Sequence, residues 1–266
     1  MSLFTTGIVQ EFLTTHQNGR YVFQFVLSAT GAGTFTVPAG VTQIDVGCWG
    51  AGACGNGDDS GSVGFQGGGG GGYAWSSITV SQGQTFDYYV APPTPHVNWT
   101  TSLGSGATTY FGTPGVNMNT AQIRAMGGGG GGGASPHQAG GGTASGALLN
   151  RGSITFNGGN GASQVITPRA SGGGGSGAGS TANGNNGSQG NGAGGVAAGG
   201  AASATLGGAG GVGYPVGVII GTTWGNGAPG NNYGGGGGGG ASAGGSNIGS
   251  GGDGAQGLIV INCIIP

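Results

Sequence analysis

Two textures alternate along the chain. In the first, apolar residues occupy every second position and β-branched and aromatic side chains dominate, which predicts half-buried strands. Such stretches fall at 21–27, 34–37, 41–49, 73–80, 85–90, 108–111, 122–125, 153–156, 216–220 and 258–265. Turn-forming clusters separate several of them, among them Pro38-Ala39-Gly40 and Ser81-Gln82-Gly83-Gln84. No stretch repeats its apolar positions with a helical period, so the fold class predicted is all-β.

The second texture is glycine. The chain holds 76 glycines in 266 residues, against an ordinary usage of roughly 7 %. Pure runs fill 67–72, 127–133, 172–175 and 234–240, and looser Gly/Ala/Ser/Asn stretches fill 176–213 and 241–257. A threefold spacing surfaces within them, at Gly184, Gly187 and Gly190, at Gly207, Gly210 and Gly213, and at Gly251, Gly254 and Gly257. A flexible linker is one reading of such composition. Against it, the runs lie between strand-like segments and carry Ala and Asn rather than a plain Gly-Ser alternation. An extended helix with three residues per turn uses glycine at this density. It makes no internal hydrogen bonds, so its backbone groups must bond to neighbouring chains, and glycine lets those chains approach closely enough to do so. The entropy lost by ordering glycine is offset only in a bundle. The expectation is therefore an inserted polyglycine-II helix bundle, with glycine-only runs central and runs bearing Ala, Ser or Asn outside.

Charge narrows the functional classes. Charged residues are 4 % of the chain, the four basic ones are all Arg, and the formal net charge is −2. Four scattered arginines form no counterion-displacing patch, so no nucleic-acid partner is expected. Interior glycine disfavours a helical bundle, and ten prolines without period exclude collagen. The length suits one large domain or two small ones. No basic start and apolar run marks a secretory signal at the N-terminus, and no apolar stretch is long enough for a spanning helix, so no membrane insertion is expected. Cys48, Cys54 and Cys263 are read as small buried thiols, with no metal site, and Cys48 and Cys263 would come close if their strands were neighbours. The glycine loops lack the Lys a phosphate-binding loop requires. His16, His96 and His137 sit among loop residues without an identifiable catalytic partner. Neither a catalytic residue nor a cofactor is expected, and the chain is read as no enzyme.

The stretch Phe35-Thr36-Val37-Pro38-Ala39-Gly40-Val41-Thr42 runs into Ile44-Asp45-Val46-Gly47-Cys48-Trp49-Gly50-Ala51-Gly52. The run 67–72 and Tyr73-Ala74 follow, then Ser81-Gln82-Gly83-Gln84-Thr85. The chain closes on Gly251-Gly252-Asp253-Gly254-Ala255-Gln256-Gly257-Leu258-Ile259-Val260-Ile261. This order, spanning roughly 34–265, resembles the glycine-rich domain of tailed-phage tail and fibre proteins. It is also similar to the glycine-rich region of anaplastic-lymphoma-kinase-type receptors. The resemblance implies a jelly-roll-like β-sandwich with an inserted polyglycine-II helix bundle. It further implies variable loops at the bundle tip that touch a host-surface receptor, protein or glycan.

By position, the loops around Tyr214, Pro215, Trp224, Asn231 and Tyr233 look like such segments, and Trp224, in a glycine-flanked turn, is the foremost candidate. Trp99 lies in the Pro-rich loop 91–100, where it is either a recognition residue or folded onto the sandwich. Trp49 and Trp75 lie in strand patterning and are expected in the core. The organisation expected is an attachment or assembly segment at 1–33, a β-sandwich with a first glycine-rich insertion at 34–125, the glycine-rich bundle with interspersed strands at 126–257, and a closing strand at 258–266. The strand-like 21–25 within the first segment either docks the chain on a fibre or is donated to a second copy. The function expected is a virion surface protein, made in the host cytoplasm and acting outside it, that binds a host receptor and contacts other virion proteins or copies of itself. Two alternatives stand beside it. A self-assembling filament or sheath protein is favoured by low net repulsion and by strand patterning at both termini. An ice-binding protein would use a flat face of small residues such as 197–204.

Overall fold

A computed structural model describes residues 15–17, 20–57, 66–96, 104–130, 151–162, 171–188, 207–213, 225–240 and 249–266. Among the described residues ten strands appear in chain order: β1 (Thr15–Gln17), β2 (Arg20–Leu27), β3 (Gly31–Thr36), β4 (Gln43–Trp49), β5 (Tyr73–Thr79), β6 (Thr85–Val90), β7 (Thr109–Gly112), β8 (Ile123–Ala125), β9 (Ile154–Phe156) and β10 (Leu258–Ile265). They form two antiparallel sheets, ordered β1-β2-β10-β4-β5-β9 and β3-β6-β7-β8. Among the described residues there is no helix, and the two sheets pack together as a β-sandwich.

Alternation places one set of side chains from each strand between the sheets. Ile44, Val46 and Cys48 of β4, with Ile259, Ile261 and Cys263 of β10, face Phe35, Phe86, Val90, Phe111 and Ile123 from the second sheet. The rings of Phe86 and Phe111 stack at 5.0 Å, and Phe25 meets Phe35 edge-on at 5.4 Å. The outer face of the six-stranded sheet is also covered near one end. There Trp49, Tyr73, Leu258 and Val260 are buried with Ala178, and Trp75, Phe156 and Tyr233 pack against them.

Strand β2 lies inside the larger sheet, paired with β10 from Leu27↔Ile259 to Tyr21↔Ile265. Residues 20–27, expected to precede the sandwich, are thus part of it, bonded to their own chain. Strand β3 begins at Gly31, earlier than alternation suggested, because Ala32 and Gly33 carry no strand signal. Gly33 leaves room there for the Tyr88 ring on β6, which would have to shift if a Cβ were present. The expected turn at 81–84 forms, with Gln84 N–H donating to the Ser81 carbonyl and Gly83 at φ +77°. Cys48 and Cys263 do sit on neighbouring strands, but Cys48 pairs with Ile259 and Cys263 with Ile44. Four residues of register offset them by about 13 Å along the strands, and all three cysteines are buried and outside any disulfide. The strand expected at 216–220 lies outside the described residues.

Candidate functional site

Six strands run into glycine segments at one end of the sandwich. Strands β4, β8 and β9 continue into 50–57, 126–130 and 157–162, while 66–72, 104–107 and 249–257 lead into β5, β7 and β10. Segments 171–178, 183–188, 207–213, 225–231 and 234–240 join them. The backbone groups of these segments bond across, from one to another. Along 50–56, Gly50, Ala53 and Asn56 donate to the carbonyls of Gly72, Gly69 and Gln66. Ala51 and Cys54 donate to Ala107 and Gly104, and Gly52 and Gly55 to Ala255 and Gly252. Partners change at each residue and recur at every third. Residues 67–72 follow the same rule: Gly67 and Gly70 donate to Ala162 and Gly159, Gly68 and Gly71 to Gly237 and Gly234, Gly69 and Gly72 to Gly129 and Met126.

The segment 234–240 is bonded on all sides. Gly236 and Gly239 donate to Gly175 and Gly172, Gly237 and Gly240 to Ala53 and Asn56, and Gly238 to Ala228. In turn it accepts from Gly68 and Gly71, from Gly211, and from Gly252 and Ala255. All its residues are buried. A Cβ on Gly237 would overlap the Gly252 carbonyl, one on Gly238 the Val212 carbonyl and one on Gly236 the Gly68 carbonyl. The hydrogens in those positions point at carbonyl oxygens, so glycine is dictated by the approach of neighbouring backbones. The run 127–130 lies nearer the surface, mostly half-buried, whereas 50–57 is buried except for half-buried Asn56, although it carries Ala51, Ala53 and Cys54.

One end of this stack adjoins the sheets and the other points away. At the far end, Asn56 donates to Gln66, Gly240 to Asn56, Gly67 to Ala162, and the Ser171 hydroxyl bonds the Gly240 carbonyl. Gly227 donates to Ser250 and Ala228 to Val212 in the same region. The described residues that flank 58–65, 163–170, 214–224 and 241–248 therefore gather at this end.

The candidate residues divide. Tyr214, Pro215, Trp224 and Trp99 lie outside the described residues. Gly213 and Gly225, the neighbours of Tyr214 and Trp224, belong to the far end. Asn231 and Tyr233 lie at the opposite end, in the turn that joins 225–231 to 234–240. Asn231 is exposed, with its N–H donating to the Ala209 carbonyl and its own carbonyl accepting from Gly235. Tyr233 packs on the cluster around Trp49 and Tyr73, whose rings lie 4.6 Å apart. Trp49 is buried and Trp75 packs beside it, as the strand pattern implies.

His96, read as a loop histidine, has a partner the sequence did not reveal. Its Nδ1 lies 2.6 Å from Oδ1 of Asp253, which also accepts from the His96 backbone N–H at 2.8 Å. Partial burial pushes the Asp253 carboxyl up, but the hydrogen bonds and attraction from His96 outweigh it and leave the group below its ordinary value. This pair, with the bridge Thr94↔Gly254, ties the chain after β6 to the stack. Among the described residues no group of three or more His, Cys, Asp or Glu is placed to hold a metal ion, and no helix is long and apolar enough to cross a membrane.

The chain belongs to the glycine-rich domain family, whose pattern matches residues 28–263. A comparison with curated proteins gives no match. The family span begins just past β2 and takes in the four-stranded sheet, the stack and strands β4, β5, β9 and most of β10 of the larger sheet.

Proposed function

We infer that the glycine segments are polyglycine-II helices and that their stack is a stalk presenting loops to a receptor on a host-cell surface, the chain being a surface protein of a virion. The observation that carries this reading is that the described residues flanking 58–65, 163–170, 214–224 and 241–248 gather at the far end of the stack, away from both sheets. A partner recurring at every third residue fits a helix of three residues per turn. A stack bonded this way is stiff, because each segment is held by several others, so it sets the spacing of the loops it carries. Recognition residues are disproportionately found on loops held by a rigid scaffold. The excursion 214–224 carries Tyr214, Pro215 and Trp224, a large apolar ring among small residues, and tryptophan and tyrosine supply contact area at low entropy cost. The resemblance to phage tail and fibre proteins supplies the context.

The test is binding of the purified chain to susceptible cells. Trp224→Ala with Tyr214→Ala is expected to abolish binding while leaving the melting temperature unchanged. Tyr233→Ala serves as the contrast, since its ring packs on the sandwich: it is expected to lower the melting temperature. Undiminished cell binding by the Trp224/Tyr214 variant would overturn the reading.

A further inference from the structure

A second site lies on the outer face of the four-stranded sheet. Phe86, Val90, Phe111, Ile123 and Ala125 point inward, so the alternate residues of β6, β7 and β8 point out. Register aligns those outward residues across the strands: Tyr89 opposes Tyr110, Tyr110 opposes Arg124, and Arg124 bridges to Arg151. One line across the sheet thus reads Tyr-Tyr-Arg-Arg. The two tyrosine rings lie 5.6 Å apart and within 16° of parallel. They line an open groove of about 420 Å³ together with Thr108, Asn117, Met118 and the backbone at 106–107, within the roughly 300–1,000 Å³ of small-molecule sites.

Three features give the groove a chemistry. Its apolar surface is the tyrosine pair and Met118, which is 51 % exposed. Asn117 is fixed in place, its Oδ1 accepting from the backbone N–H groups of Asn119 and Thr120, so the NH₂ end of its amide is left to a ligand. Arg124 reaches the rim, where its Nη1 donates to the Met118 carbonyl at 2.9 Å. Arg151 sits beside it, with Nη1 on the Ala121 carbonyl. A chain with only four basic residues has two of them side by side, and partial burial together with the neighbouring Arg151 charge lowers the Arg124 guanidinium from its ordinary value. An anion spanning both guanidinium groups relieves that repulsion, and arginine forks match carboxylates in bidentate geometry.

We propose that this groove binds an acidic glycan, with a sugar ring on the Tyr89–Tyr110 wall, its hydroxyls on Asn117 and Thr108, and its carboxylate on Arg124 and Arg151. Aromatic faces suit the C–H faces of a pyranose, and the amide and hydroxyl suit its alcohols. The site is separate from the far end of the stack and stands whether or not the loops there bind a receptor.

The experiment is calorimetric titration of the full chain with tri-galacturonic acid and, in parallel, with neutral tri-galactose. Saturable binding of the acidic trisaccharide is expected, preferred over the neutral one by at least about tenfold, the effect of one charge-assisted hydrogen bond. Arg151→Gln, on an exposed side chain, is expected to remove most of that preference. Tyr110→Ala, a half-buried outward position, is expected to weaken both sugars. Trp224→Ala is expected to leave binding unchanged, which separates this site from the loops. Failure of the acidic sugar to bind at millimolar concentration, equal binding of the neutral one, or indifference to both groove variants would overturn the proposal.

Discussion

At the scale of single residues, glycine acts here through two separate physical routes, and substitution tells them apart. Gly83 has φ +77° and open space where a Cβ would go. Ala there meets only the backbone penalty of a left-handed conformation, about 1 kcal/mol. Gly237 is the opposite case. A Cβ on it collides with the Gly252 carbonyl, and a carbonyl already held in the hydrogen-bonded stack has nowhere to move. Gly237→Ala is therefore expected to destabilise by about 3 kcal/mol, the upper range for overpacking. Urea denaturation of both variants checks the order. A loss no larger at Gly237 than at Gly83 would mean the stack yields, contrary to its bonding. The buried thiols follow the same close packing: burial pushes Cys48 far up and Cys263 up to about 12, so both stay protonated and unreactive within the fold.

At the scale of elements, the strands were the legible part of the sequence and their pairing was not. Alternation located β4 and β10 because Ile44-Val46-Cys48 and Ile259-Ile261-Cys263 mark an inward face. It missed β1, whose Thr-His-Gln has no apolar period. It gave no register, and register is what aligns Tyr89, Tyr110, Arg124 and Arg151, so the groove was invisible along the chain. The pure run 234–240 was legible as the centre of the stack. The run 50–57 was not, because side chains as small as Ala51 and Ala53 can be buried where a neighbour gives room. The His96–Asp253 pair was hidden by 157 residues of separation. Its effect belongs to this scale too, since it holds the segment after β6 against 249–257. An Asp held below its ordinary value of about 3.9 contributes stability that is fully present above that value. The contribution is lost as pH falls through the lower folded value. Both side chains are near half exposed, so screening keeps the effect to roughly 0.2–1 kcal/mol. Asp253→Asn is expected to remove that fraction near neutral pH and to converge with the parent near pH 2. Denaturant midpoints measured across that range would show the convergence, and a constant offset at all pH values would rule out an electrostatic origin.

At the scale of the molecule, the question is whether sandwich and stack are one cooperative unit or two. Continuity of the chain argues for one. Strands β4, β5, β7, β8, β9 and β10 each pass directly into or out of a glycine segment, so melting the stack frees one end of four strands in the larger sheet and of two in the smaller. Packing argues the same way. Ala178, at the end of a stack segment, and Tyr233, in a turn between two of them, close the cluster over Trp49, Tyr73, Leu258 and Val260, so losing the stack exposes apolar surface of the larger sheet. Nor does any one segment of the stack persist by itself, because its backbone groups bond to other segments. The expected result is a single unfolding transition, with tryptophan fluorescence and far-ultraviolet circular dichroism coincident. Gly237→Ala, remote from the sheets, should shift both signals together. Two separated transitions, or a Gly237→Ala variant whose tryptophan signal melts with the parent, would mean that the sandwich folds on its own. The stack would then be an addition to the fold, and its stiffness could not be inherited from the sheets that root it.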